Sequence, residues 1–135
     1  MSLSRCVFLF AVLLVLSNFG CGQKGPKLVK VSGTVNYDGK PLEKGFIGFA
    51  TTSKNPQVYS SEVKAGAYAL ESETGDVIVK VVAEQDVPGA FDVAADGTKN
   101  PVKKNYIPAK FNEQSELKYK VPEAGARDAN FDLKP

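Results

Sequence analysis

Between Val31 and Phe49 apolar and polar residues alternate on either side of a turn, and this stretch commits the chain to β-structure. Val31, Gly33, Val35 and Tyr37 fall on one face and Ser32, Thr34 and Asn36 on the other, the two-residue period of a half-buried strand. Asp38-Gly39 follows as a turn signal, because glycine reaches positive φ without a steric penalty. Pro41 has no N–H to give a ladder and belongs to the connection. Ile47 and Phe49 then resume the alternation.

The same pattern recurs down the chain. Strands are expected over residues 28–37, 45–50, 58–64, 67–71, 77–83, 116–121 and 129–133. Asn55-Pro56, Ala65-Gly66, Gly75 and the run from Pro122 to Gly125 punctuate them. The strand over 58–64 is polar apart from Val63 and reads as an edge or half-exposed strand. Val77 to Ala83 is nearly continuous in β-branched residues and reads as central, covered on both faces. Residues 85–104 lack alternation and read as one long irregular loop, the kind that is functional or loosely held. No stretch after Cys21 sustains a helical period. Short strands spaced about ten residues apart, with turns between them, predict an all-β fold, a β-sandwich or barrel, and the seven expected strands make it a seven-stranded antiparallel β-sandwich, immunoglobulin-like in layout. Two packed sheets cover the apolar face that a single sheet would leave wet.

The first twenty residues have a different character. Arg5 is their only charge, and Val7 to Leu16 is an unbroken apolar run. That run is too short for a bilayer core, which takes about 20 residues, and matches the apolar region of a secretory signal. Gly20-Cys21-Gly22 closes it. The segment resembles a bacterial lipoprotein signal, in which a small residue precedes a cysteine that becomes the lipidated first residue. Asn18 and Phe19 depart from the usual leucine and small residue of that pattern. The organisation expected is a signal peptide over 1–20, a short Gly/Pro-containing tether over 21–27, and a sandwich over 28–135. The lipoprotein modification places two or more acyl chains on one cysteine, enough for stable membrane attachment. The resemblance implies palmitate-type lipidation of Cys21. With Gly22 rather than Asp after the cysteine, it also implies the outer membrane or its periplasmic face rather than the inner membrane. Cysteine count agrees: only Cys6 and Cys21 exist, Cys6 departs with the signal, and one thiol cannot form an internal disulfide.

Composition removes several functional classes. Histidine is absent, and with it the commonest general base and metal ligand. With one cysteine left after the signal, zinc has no ligand set. Ser60-Ser61 has no adjacent base and no nucleophile-elbow glycines. The Asp92 to Gly97 segment lacks the acidic spacing of a calcium loop and reads as a solvated turn. Net charge is +2 over 135 residues, with lysines and glutamates interspersed, which does not make a phosphate-tracking surface. No catalytic residue, metal site, cofactor or nucleic-acid partner is expected. Tyr59, Tyr68, Phe91, Tyr106 and Phe111 are aromatic candidates for a carbohydrate or peptide groove, or for core and loop packing. Phe91 and Tyr106, in or beside the long loop, are the expected exposed ones.

The first two strands also carry a family resemblance. Gly33-x-Val35, Asp38-Gly39-Lys40-Pro41-Leu42 and Gly45-Phe-Ile-Gly-Phe49 are similar to the strand–turn–strand motif of carboxypeptidase regulatory-like domains, which have a prealbumin (transthyretin-like) sandwich. Ala65-Gly-Ala-Tyr68 resembles a later turn of that family with Ala65 in an aspartate's place, and Gly75-Asp-Val-Ile-Val79 resembles its second motif with Val77 in a tyrosine's place. Ile107 to Phe111 and Asn130 to Leu133 look like the closing part of small exported lipoproteins of planctomycete-type bacteria. The resemblance spans about residues 29–133 and concerns turns and core. It implies a structural or binding module of the cell envelope without catalysis, whose partners are the membrane, through Cys21, and an envelope protein or glycan. The alternative is a secreted, transthyretin-like soluble carrier of a small ligand.

Overall fold

The structure, a computed structural model, describes residues 25–135; the expected signal segment over 1–20 and Cys21 lie outside the described residues. The strands in chain order are β1 (Leu28–Tyr37), β2 (Lys40–Pro41), β3 (Lys44–Thr51), β4 (Val58–Lys64), β5 (Ala67–Glu73), β6 (Gly75–Val82), β7 (Glu84–Val93), β8 (Lys99–Asn105), β9 (Lys118–Val121) and β10 (Phe131–Leu133). A single 3-10 turn, Ala109–Phe111, is the helical element among the described residues. Seven strands follow one path, β10-β1-β5-β4-β3-β6-β9, with β2 paired to β1, and β7 and β8 form a separate two-stranded sheet.

The path bends at one point. β4 pairs with β3 over its whole length but meets β5 only at Lys64↔Ala67. That single link joins the β10-β1-β5 half to the β4-β3-β6-β9 half, so the sheet curls into an all-β sandwich. The halves meet through aromatic rings. Phe49 of β3 lies 6.2 Å from Tyr68 of β5, 6.1 Å from Phe131 of β10 and 5.8 Å from Tyr119 of β9, centroid to centroid. Val31, Val35, Ile47, Val63, Val79 and Val81 complete a core with no solvent exposure. Burying an aliphatic side chain of this size stabilises by about 1.5–3 kcal/mol.

Two glycine turns meet at Pro41. Asp38 and Gly39 both have positive φ, 51° and 74°, and join β1 to β2 in a two-residue hairpin. Pro41 is paired with Asn36 rather than lying in a bare connection. The ladder bond beyond it runs from the Leu42 N–H to the Val35 carbonyl at 2.9 Å, so the missing proline donor falls where none is required. Gly66, at φ 79°, sits so close to Pro41 that a Cβ would lie 2.8 Å from the proline Cβ.

Three expectations change. Residues 85–104 are a β-hairpin and not an irregular loop. Its strands are exposed or at most half-buried, so no face enforces the alternation that marks a strand in sequence. The β6 run is central, between β3 and β9, but is buried on one face only: Val77, Val79 and Val81 point inward while Lys80 is exposed. Ile78 and Val82, half-buried, gain their cover from neighbouring side chains of their own sheet, opposite Ala50 and Phe46. Finally, β10 joins β1 in parallel, against an otherwise antiparallel path. The segment leading into it lies on β1: Ser32 and Ala126 are 2.8 Å apart, N–H to carbonyl, and Ala129 donates to the Ser32 carbonyl at 3.1 Å. Gly33 permits this approach, because a Cβ there would be 2.1 Å from the Ala129 carbonyl oxygen. Asn130 then fills a gap in the ladder, its Oδ1 accepting from the Thr34 N–H at 2.9 Å.

Candidate functional site

Strand direction separates the two ends of the sandwich. At one end Leu28, where the chain enters, pairs with Glu73, two residues before β6 begins at Gly75. β6 then runs the length of the sandwich, about 25 Å at ~3.3 Å per residue, to Val82, which is paired with Phe46. At that far end the β7–β8 hairpin leaves the body and returns. Its feet are fixed by Asn105, whose Oδ1 accepts from the Ala83 N–H at 3.2 Å and the Ile107 N–H at 3.1 Å. The Tyr106 N–H donates to the Ala83 carbonyl at 3.0 Å. Ala83 and Ile107 are buried, and everything between them is exposed or half-buried. The hairpin is therefore an arm, clamped at the end of the sandwich opposite to the entry of the chain.

Its length follows from β8: seven residues, about 23 Å at ~3.3 Å each. The tip is a tight turn in which Gly97, at φ 86°, donates to the Ala94 carbonyl at 2.9 Å, and Ala94 donates to the Thr98 carbonyl at 2.9 Å. Asp96 Oδ1 accepts from the Thr98 N–H at 2.9 Å. That bond, with a smaller contribution from the Thr98 hydroxyl, holds the Asp96 carboxyl below the ordinary carboxylate value. The aspartate thus has a turn-forming role. A bulge between Asp86 and Phe91 on β7, at Val87-Pro88-Gly89-Ala90, kinks the arm midway.

The aromatic candidates scatter. Phe91 stands on the arm, 56% exposed and paired with Pro101. Tyr106 lies at the foot, half-buried, its ring edge-on to Tyr37 at 5.8 Å. Burial first, then the nearby Glu43 carboxylate, raise its phenol above the ordinary tyrosine value. Five residues of β-strand, about 16 Å, separate Pro101 from Tyr106, so Phe91 and Tyr106 do not share one groove. Tyr59 donates to Glu73 Oε1 at 2.7 Å at the entry end. Tyr68 is buried in the core, and Phe111 packs on the core under Lys110, whose Nζ is 5.0 Å from the ring centre. Ser61 donates to the Glu62 carbonyl at 3.3 Å and has no base beside it. Among the described residues no three metal-ligating side chains come together.

Two surface features escaped the sequence. Phe46, on the outward face of β3, is 56% exposed and floors a cleft of about 320 Å³ at the foot of the arm, with Val82, Lys44, Glu62, Glu84 and Lys103 around it. An open groove of about 940 Å³ runs along β1 and β5 beneath residues 124–127, where Ser32 and Ala69 form a small-residue floor and Lys30, Glu71 and Arg127 its charged walls. Phe46 alternates with the buried Ile47 and so had an outward position legible in the pattern; the groove depends on the crossing of the C-terminal segment and had no local signal.

No family model matches the chain, and no curated protein matches it. Among solved structures it is similar to a 9R-lipoxygenase from Cyanothece PCC8801, with 11% identity and a TM-score of 0.44. The match covers 100% of this chain and 21% of that enzyme, so the chain spans about a fifth of the length of the protein it resembles.

Proposed function

We propose that the chain is a membrane-anchored lipoprotein of the cell envelope, attached through lipid on Cys21, whose carboxypeptidase regulatory-like sandwich serves as a binding module without catalysis. The observation that carries this reading is the polarity of the fold. The tether enters at Leu28, at the end of the sandwich marked by Glu73, and the arm leaves at the opposite end, clamped by Asn105. A lipid on Cys21, seven residues before Leu28, holds the entry end at the bilayer. The arm then stands on the far side of a strand length of sandwich, about 25 Å. This is the disposition of a spacer that presents a recognition element away from a membrane. The packed aromatic core between the two halves supplies the stiffness that a spacer requires.

Membrane fractionation tests the reading. Made in a host with lipoprotein processing and fed labelled palmitate, the parent chain is expected in the membrane fraction carrying the label, while Cys21→Ser is expected to take up none. A parent chain without label contradicts it.

A further inference from the structure

The arm's two outer edges are not alike. Hydrogen-bonded and non-bonded pairs alternate along an antiparallel ladder. Because Ala94 and Thr98 are bonded at 2.9 Å, Val93–Lys99 and Phe91–Pro101 are non-bonded pairs, and their backbone groups point to the outer edges of the arm. On β8 that outer edge is interrupted at Pro101, which has no N–H, and is flanked by Lys99 and Lys103. On β7 it presents the N–H and carbonyl groups of both Phe91 and Val93 to solvent, beneath side chains 56% and 65% exposed. Three other free edges carry usual guards. β9 is four residues long with two lysines, β10 is three residues long, and β4 is mostly polar. Among the described residues, Phe91 and Val93 are the two large exposed apolar side chains that share one free edge.

Charge describes what fits it. β7 carries Glu84, Asp86 and Asp92 and no cation. Asp86 lies opposite Lys103 in the ladder, whereas Asp92 lies opposite Asn100 and has no ion pair among the described residues. A second copy of the chain fits poorly. Pairing β7 antiparallel with another β7 about Asp92 sets the two Asp92 carboxylates opposite each other, and like charges directly across a ladder are destabilising. Pairing it with another β8 meets Pro101, whose missing donor breaks the new ladder.

We propose that the free edge of β7 at Phe91–Val93 docks an extended segment of another envelope protein by strand addition, with lysine or arginine opposite Asp92 and apolar side chains beside Phe91 and Val93. Main-chain bonds supply the affinity in this mode and alternate side chains supply the selectivity. The proposal rests on the envelope reading above and deepens it by naming the partner's chemistry.

The test uses the full chain, purified in detergent, and a short capped peptide alternating valine and lysine. At a free peptide concentration about ten times its dissociation constant, hydrogen exchange over β7 is expected to slow about tenfold, with β4 and β9 unchanged. The same peptide with glutamate for lysine is expected not to protect. Val93→Pro is the discriminating variant. It removes an outward-pointing N–H and none of the arm's own bonds, so it is expected to abolish protection while the urea midpoint of the sandwich holds. Protection at another edge, equal binding of the glutamate peptide, indifference to Val93→Pro, peptide-free dimers that Val93→Pro dissolves, or no binding at all each overturns the proposal. Lipid on Cys21 without docking fails this proposal alone; docking without lipid fails the anchoring reading alone.

Discussion

The Tyr68 hydroxyl, on β5, donates to the Ala129 carbonyl at 2.7 Å, joining residues 61 apart in sequence across the buried edge of the sandwich. It secures the segment that brings β10 alongside β1. Tyr68→Phe keeps the ring, which packs 6.2 Å from Phe49, and removes the bond. A loss of about 1 kcal/mol in urea unfolding is expected. Burial, and secondarily Tyr119, raise the Tyr68 phenol above its ordinary value of 10.0. Its contribution is therefore complete below pH 10 and falls as pH rises beyond it, since the unfolded chain ionises there first. Tyr68→Phe should show a shallower alkaline loss than the parent; parallel alkaline curves would count against a buried, neutral Tyr68.

Glycines 33 and 39 should respond differently to the same change. Gly33→Ala drives a methyl against the Ala129 carbonyl, at 2.1 Å before relaxation, so β1 and the C-terminal segment must part. About 3 kcal/mol of destabilisation is expected. Gly39→Ala meets nothing within 4 Å and suffers only its φ of 74°, a cost of about 1 kcal/mol. Urea midpoints order the two variants, and equal midpoints would contradict the close crossing at Gly33.

The single buried face of β6 is open to test at adjacent positions. Val79 is fully buried, and Val79→Asp places an unpaired carboxylate in the core, costing about 4 kcal/mol or more. Lys80 is exposed, and Lys80→Ala should stay within about 0.5 kcal/mol of the parent. A large effect at Lys80 would mean that something covers the outer face.

Asn105 predicts how firmly the arm is held. Asn105→Ala leaves the N–H groups of Ala83 and Ile107 without their acceptor, and both residues are nearly inaccessible, at 1% and 3%. About 2 kcal/mol is expected to be lost, with faster hydrogen exchange throughout residues 84–105. Exchange unchanged in that segment would show that the clamp lies elsewhere.

At the tip of the arm the dependence runs with acid. The Thr98 N–H holds the folded Asp96 carboxyl below its ordinary 3.8. Its contribution is present above pH 3.8 and disappears as pH falls through the lower folded value. The Thr98 amide resonance should move in that acid window, and Asp96→Ala should abolish the movement. A Thr98 amide titrating at the ordinary carboxylate value would remove the bond from the account.

The parts of this fold legible in sequence are those where one side of a strand is buried. Val29, Val31 and Val35 in β1, and Tyr119 and Val121 in β9, alternate because the core selects every second residue. The arm has no such selection: Phe91 and Val93 are exposed, Asp92 beside them is exposed too, and a ladder wet on both faces leaves no period. Its one local signal was Asp96-Gly97, which forms the tip. Parallel pairing of β10 depends on where residues 122–130 cross, and Gly33 was its only trace. Of the two aromatic candidates, Phe91 had an exposed position legible from its place in a segment without core alternation. Tyr106 was misleading because its partner Tyr37 is distant in sequence.

The account turns on Cys21, and the intact mass of the mature N-terminal peptide tests it most directly. Protein made in a host with lipoprotein processing should begin at Cys21 and carry a diacylglyceryl adduct on its sulfur. An unmodified peptide beginning at or near Cys21 would contradict membrane anchoring and leave a secreted soluble domain with a free thiol.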